Sequence, residues 1–122
     1  MTESQQPEIN REAISAMRRS YGEHGLNETE IFSDPVLQFQ SWLKDAAANS
    51  MIVEANAMVL STISDSGPSS RTVLLKDVTS EGFTFFTNYD SRKAKEISQN
   101  STFSLLFPWY PMERQVIVTG TA

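Results

Sequence analysis

The run Asn88-Tyr89-Asp90-Ser91-Arg92-Lys93 closes a β-rich stretch and leads into Ala94-Lys95-Glu96-Ile97, which has the composition of a helix. A helix N-terminus offers unbonded N–H groups and a partial positive charge, so Ser91, Arg92 and Lys93 placed there would form a phosphate cradle. Arg92 would contribute a bidentate fork and Lys93 a point charge. The competing account is an ordinary N-cap, Asp90 or Ser91, followed by a solvated face of Arg92, Lys93 and Lys95. Spacing alone leaves both open.

Ser70-Arg71-Thr72-Val73-Leu74-Leu75-Lys76 reads as a strand with a cation near each end. Strict alternation sends Arg71 and Lys76 to opposite faces, so they share one pocket only across a bulge, at a strand end or at a subunit boundary. Two snorkelling edge charges flanking a core strand would give the same pattern. In Glu113-Arg114-Gln115-Val116-Ile117-Val118 a glutamine opens an apolar strand. Its amide could read the polar edge of a heteroaromatic ring or simply sit beside a turn. Arg18 and Tyr21 are one helical turn apart and could present a cation and a phenol together, or be a surface arginine beside a half-buried ring. Trp42 and Trp109 read as packing residues. No Ser-His-Asp arrangement, paired carboxylates or metal-ligand cluster is visible, and the single histidine, His24, leaves little for a metal site.

These residues need elements to hold them. Ile9, Ala13, Met17 and Tyr21 recur at a spacing of four and predict a first, exposed helix ending near Gly22 and Gly25. Asp34-Pro35 is a cap followed by a first-turn proline, and Phe39, Trp42, Leu43, Ala46 and Ala47 form the apolar face of a second helix. Then the texture becomes β-rich. Strands are predicted over 57–63, 71–78 and 83–87, with turns at 64–68 and 80–82, so that two hairpins run in series. A short capped helix from 90 to 97 is followed by strands over 102–107 and 115–121 around a turn at 108–111. Sequential antiparallel strands without βαβ alternation or a G-x-G-x-x-G run argue for a small barrel or curled sheet, not a Rossmann fold. The last strand reaches Gly120-Thr121-Ala122 without a stop signal, which reads as a truncated barrel.

Composition narrows the function classes. The 122 residues, 39% apolar and 20% charged, suit one folded domain. A net charge of −5 disfavours nucleic acid and anionic membranes as partners. Residues 1–50 hold eight acids and four bases, residues 51–122 seven acids and six bases, so the second part is closer to neutral; its bases could hold a small anion if they converge, or be scattered and solvated. The absence of cysteine removes thiol nucleophiles and thiolate metal sites and fits a reducing compartment. The polar, acidic start is unlike a signal or transit peptide and no apolar run approaches a membrane span, so a soluble cytoplasmic protein is expected.

Taken together the segments resemble the pyridoxine/pyridoxamine 5'-phosphate oxidase family in order and spacing. The resemblance rests on Met17-Arg18-Arg19-Ser20-Tyr21 with Gly25-Leu26, Asp34-Pro35 and the run 39–43, then Ser70-Arg71-Thr72-Val73-Leu74-Leu75-Lys76 and Phe85-Phe86-Thr87-Asn88. Ser91-Arg92-Lys93, Ser104-Leu105-Leu106-Phe107-Pro108-Trp109 and Glu113-Arg114-Gln115-Val116 continue it. It covers about residues 10–122 and implies a mainly-β fold with flanking helices, an FMN-binding split β-barrel lacking its C-terminal part, with a mobile segment over 1–30 and the barrel over 31–122. It further implies a homodimer with FMN at the subunit interface. Arg71, Thr72, Val73, Leu74, Phe86, Thr87, Arg92, Lys93 and Gln115 would bind FMN, with Arg71, Arg92 and Lys93 on its phosphate. Lys76, Arg18 and Tyr21 would bind substrate.

The implied reaction moves a hydride from C4' of pyridoxine or pyridoxamine 5'-phosphate to the flavin. O2 is then reduced to H2O2 and pyridoxal 5'-phosphate released, so the flavin carries the redox chemistry and no protein nucleophile is required. The family's C-terminal substrate ligands have no counterpart here, so weak or absent turnover is expected of these residues alone. Three alternatives stay open: a flavin- or pyridoxal-phosphate-binding module without activity, a flavin reductase on the same barrel, and a structural dimerisation domain.

Overall fold

The structure, a computed structural model, describes residues 8–17, 27–87 and 91–122. Its centre is a hairpin of β1 (Ala57–Ser64) and β2 (Gly67–Leu74), paired from Ala57↔Leu74 to Ser64↔Gly67. Alternation puts Met58, Leu60 and Thr62 of β1 on the inner face, with Ser69, Arg71 and Val73 of β2 facing the same way. Asp65 and Ser66 make the turn, and Gly67 follows at φ +105°, a value that a side-chain-bearing residue adopts only under strain.

This hairpin corrects the expected boundaries. Gly67-Pro68 reads as turn chemistry, yet β2 begins there, four residues before the predicted Arg71. Proline is tolerated because β2 lies at the edge of its sheet. The expected single strand over 71–78 is also broken. The ladder ends at Leu74, and Asn56 grips the next residue twice, its carbonyl accepting from the Leu75 N–H (2.9 Å) and its Nδ2 donating to the Leu75 carbonyl (3.0 Å). The chain then leaves for a separate small hairpin of β3 (Asp77–Thr79) and β4 (Gly82–Thr84). The expected strand over 83–87 is therefore shorter, and Phe85, Phe86 and Thr87 lie outside it.

β5 (Thr102–Phe107) coincides with its predicted span and pairs with β1 on one side and β6 (Val116–Thr121) on the other, so the main sheet runs β2-β1-β5-β6. Gln115, expected to open the last strand, immediately precedes it. A 3-10 turn over Tyr110–Met112 joins β5 to β6, closed by Glu113 in the left-handed region at φ 58°.

Helix α1 (Arg11–Ala16), capped by Asn10, buries nothing. It ends at Met17, well short of the glycines expected to terminate it; Tyr21, the last member of the predicted stripe, lies outside the described residues. Helix α2 (Pro35–Ala48) starts as its sequence dictates: Asp34 Oδ1 accepts from the Val36 N–H at 2.9 Å, with Pro35 in the first turn. It buries Phe39 and Ala46 and packs Trp42 and Leu43 against the core, while Ala47, assigned to the same face, is exposed. Phe39 meets Phe83 and Phe107 edge to face, each at 4.9 Å between centroids, and lies 5.7 Å from Trp109. Trp109 is buried because its indole N–H has a partner, the Ala55 carbonyl at 3.0 Å. Arg114 fastens the start of β6 to α2, stacking 4.6 Å over Trp42 and bonding Asp45 at 3.1 Å.

Helix α3 (Arg92–Gln99) is capped by Ser91, not Asp90, and lies against β1. The antiparallel, mainly-β architecture with flanking helices is as expected from the sequence.

Candidate functional site

The inner faces of β1 and β2 are apolar towards Met58 and Val73 but turn polar at the other end, where Thr62 and Ser69 are register partners. Helix α3 covers this polar end and lowers Glu96 onto it. Glu96 is 4% exposed, the only buried charged side chain among the described residues, and its hydrogen-bonding capacity is met. Its Oε2 accepts from Thr62 Oγ1, from Ser69 Oγ at 2.6 Å and from Arg71 Nη2 at 3.0 Å. Its Oε1 accepts from Arg92 Nε at 2.8 Å, one helical turn away.

These donors hold the Glu96 carboxyl at about 2, well below its ordinary 4.5. The Ser69 hydroxyl has the largest effect, then the Thr62 hydroxyl; burial opposes them, and Arg92 and Arg71 add to the lowering. Glu96 is thus an anion throughout the neutral range.

The two arginines differ in what they have left to offer. Arg71 commits Nη1 to the Leu60 carbonyl (3.2 Å) and Thr62 Oγ1 (2.8 Å), and Nη2 to Ser69 Oγ (2.6 Å) and Glu96, leaving its Nε–H without a partner among the described residues. Arg92 commits only Nε among the described residues, and its side chain is 71% exposed, so its guanidinium remains accessible. Lys93 follows at the start of the same helix and is half-buried, in no ion pair among the described residues. Thr87 reaches Ser91, the helix cap, at 3.0 Å between hydroxyl oxygens. Arg92, Lys93 and the Ser91–Thr87 hydroxyl pair thus stand at the N-terminus of α3, groups of the kind that bind anions.

The remaining expected site residues are dispersed. Thr72 and Leu74 alternate with Arg71 and Val73 onto the opposite face of the sheet, where Val59, Ser61, Leu106 and Ile117 also lie and no charged side chain of the four strands is found. Lys76 is exposed and lies beyond the end of β2, between it and β3, so the alternation that set it against Arg71 does not extend to it. Phe86 is a bare ring, 74% exposed. Gln115 stands beside β6, at the edge of the sheet opposite β2, with β1 and β5 between them. It lines a cavity of about 400 Å³ with Phe32, Gln38, Phe39, Trp42 and Ile117, a mostly apolar space of small-molecule size. Arg18 and Tyr21 lie outside the described residues.

Sequence alone does not single out Glu96, Thr62 or Ser69. A signal for Glu96 exists, an acid four residues after Arg92 on a short helix. Its burial carries no such signal, because that depends on two hydroxyls arriving from other strands.

Among the described residues there is no cluster of ligands for a metal ion and no helix long and apolar enough to cross a membrane. The family model described as pyridoxamine 5'-phosphate oxidase matches residues 44–122. A pyridoxine/pyridoxamine 5'-phosphate oxidase of Streptomyces avermitilis is 53% identical over 112 residues, covering 88% of this chain and 50% of that protein. One from Prochlorococcus marinus is 52% identical over 109 residues, covering 89% and 49%. Among solved structures, PhzG from Burkholderia lata, in complex with tetrahydrophenazine-1-carboxylic acid, superposes with a TM-score of 0.69 at 27% identity over 77% of this chain and 46% of that one. The chain spans about half the length of the relatives it matches. With the family model matching well over half of its residues, this chain belongs to the pyridoxamine 5'-phosphate oxidase family.

Proposed function

We propose that this chain is the cofactor-binding portion of an FMN-dependent oxidase that converts pyridoxine or pyridoxamine 5'-phosphate to pyridoxal 5'-phosphate, with O2 reduced to H2O2. The observation that carries this reading is the exposed guanidinium of Arg92 at the start of α3, a helix that also begins with Lys93 and whose cap, Ser91, is joined to Thr87. The donor set fits a phosphate monoester: a fork for two oxygens, a flexible ammonium, a hydroxyl and a helix N-terminus. FMN, when bound, supplies the hydride-accepting ring; the protein supplies position and charge.

In this reading Arg92 and Lys93 neutralise the cofactor phosphate, with the spare Nε–H of Arg71 behind them. Phe86 offers an apolar ring surface, Thr72, Val73 and Leu74 line the approach, and the Gln115 amide meets a polar ring edge. Lys76, with Arg18 and Tyr21 from the 1–30 segment, takes the substrate phosphate. Arg71 and Thr72 face opposite ways and Gln115 lies across the sheet, so a site assembled at the boundary between two copies accommodates them better than one within a single chain. The uncharged outer sheet face with Val59, Leu106 and Ile117 suits such a homodimer. Small phosphorylated substrates and a cytoplasmic setting complete the proposal.

Anaerobic addition of pyridoxine 5'-phosphate to the FMN-loaded protein tests it. A slow loss of the oxidised flavin spectrum over a single turnover is expected, in keeping with weak steady-state turnover, followed by its recovery and one equivalent of peroxide when air is admitted. A flavin-loaded protein that stays yellow would refute the oxidase and leave a flavin-binding module.

A further inference from the structure

Glu96 is the buried group that neither the family resemblance nor the binding chemistry above calls on, and a carboxylate is an unexpected thing to find against an anion site. Its own charge opposes a phosphate nearby. The geometry explains its presence differently. Each oxygen holds one arginine: Oε1 takes Arg92 by Nε, with no Nη bond of Arg92 among the described residues, and Oε2 takes Arg71 by Nη2. Thr62 and Ser69 fix the carboxylate itself from the strand side, so it cannot rotate to follow either guanidinium. Without it, Arg71 would be a cation only 22% exposed with no anionic partner among the described residues, and Arg92, already 71% exposed, would lose its i,i+4 bond on the helix.

We propose that Glu96 is a positioning residue for the cofactor phosphate, a carboxylate that locks Arg71 and Arg92 into one fixed orientation before the ligand arrives. This rests on the FMN reading above. The mechanism is preorganisation: a flexible, well-hydrated arginine must be ordered on binding, whereas one already clamped by its Nε edge presents its fork with that ordering complete. The loss of electrostatic attraction caused by the carboxylate is limited because Thr62 and Ser69 also donate to it and spread its charge into the sheet.

Flavin titrations of the protein and its Glu96→Gln variant, with FMN and with riboflavin, test the inference. Riboflavin shares the ring and lacks the phosphate, so the ratio of the two dissociation constants isolates the phosphate site. The variant is expected to bind FMN at least tenfold more weakly with riboflavin affinity unchanged, collapsing the ratio. Ser69→Ala, which removes one clamp on the carboxylate and keeps the charge, is expected to lower the ratio severalfold, and it serves if Glu96→Gln does not fold. An unchanged or increased preference for FMN in these variants overturns the positioning role, as does an equal loss for both ligands, the signature of a residue that merely supports the fold. Wild-type protein that shows no preference for FMN over riboflavin would overturn the FMN reading itself, and this inference with it.

Discussion

Truncating Arg71 to alanine separates the two arginines by what they do for the fold. Arg71 donates four hydrogen bonds inside the chain, to the Leu60 carbonyl, Thr62, Ser69 and Glu96, and its side chain is 22% exposed. Removing one partner of a fully buried ion pair costs about 3–5 kcal/mol because the other charge is left unpaired. Glu96 retains Thr62, Ser69 and Arg92, and partial exposure lets water reach the gap, so the loss falls to about 2–3 kcal/mol. In a domain of this size that lowers the melting temperature by on the order of 8–15 °C. Arg92→Ala is the internal control. Its pair with Glu96 is mostly solvated on the arginine side, so the loss is about 0–1 kcal/mol. Urea unfolding of the three proteins at neutral pH, with midpoints and slopes fitted together, measures the difference. If Arg71→Ala is within about 0.5 kcal/mol of Arg92→Ala, the inner strut described here is not holding β2 to α3, and the assignment of Arg71 to the fold fails.

Arg92→Ala should weaken FMN binding by roughly 1.5–3 kcal/mol, the value of a charged hydrogen bond, while leaving riboflavin alone; equal affinities for FMN before and after would remove Arg92 from the phosphate site. Because the folded-state pKa of Glu96 is depressed to about 2 from an ordinary 4.5, its stabilising effect is complete above pH 4.5 and lost as pH falls towards 2. Acid titration of stability should therefore be shallower in Glu96→Gln across that window, and parallel curves would contradict the shift. Asp34→Ala removes the side-chain cap on α2. Thermal unfolding should show a loss of about 1 kcal/mol, and an unchanged midpoint would mean that the cap is dispensable. Gly67→Ala places a Cβ in open space but at a φ of +105°, so any loss is purely conformational. It should exceed roughly 1 kcal/mol, because alanine is strained in that region. A neutral result there would mean that the β1–β2 turn relaxes freely.

Much of the fold was legible because local chemistry and tertiary packing agree. Asp34-Pro35 specified the start of α2, and the β-rich run 102–107, ended by Pro108, specified β5 to the residue. Where they disagree, the tertiary contact won. Pro68 reads as a turn residue but sits on an edge strand whose ladder needs nothing from it, and the predicted strand over 71–78 conceals a change of sheet just past Leu75, which Asn56, immediately before β1, holds by two hydrogen bonds. The candidate site shows the same limit. That Ser91, Arg92 and Lys93 stand at a helix start was legible because a helix N-terminus is a local feature. That Arg71 joins them through Glu96 depends on β1 and β2 delivering Thr62 and Ser69 to the same point, which spacing along the chain does not encode. The wide separation of Gln115 from that point could not be read from a strand whose partners were unknown.

A phosphate-specific flavin site is tested most directly through the chromophore. FMN added to flavin-free protein should be bound with its fluorescence quenched or shifted, and heat release should return it intact, with riboflavin competing poorly. Failure to bind FMN, or binding of riboflavin and FMN with equal affinity, would contradict the site built around Arg92, Lys93 and the start of α3.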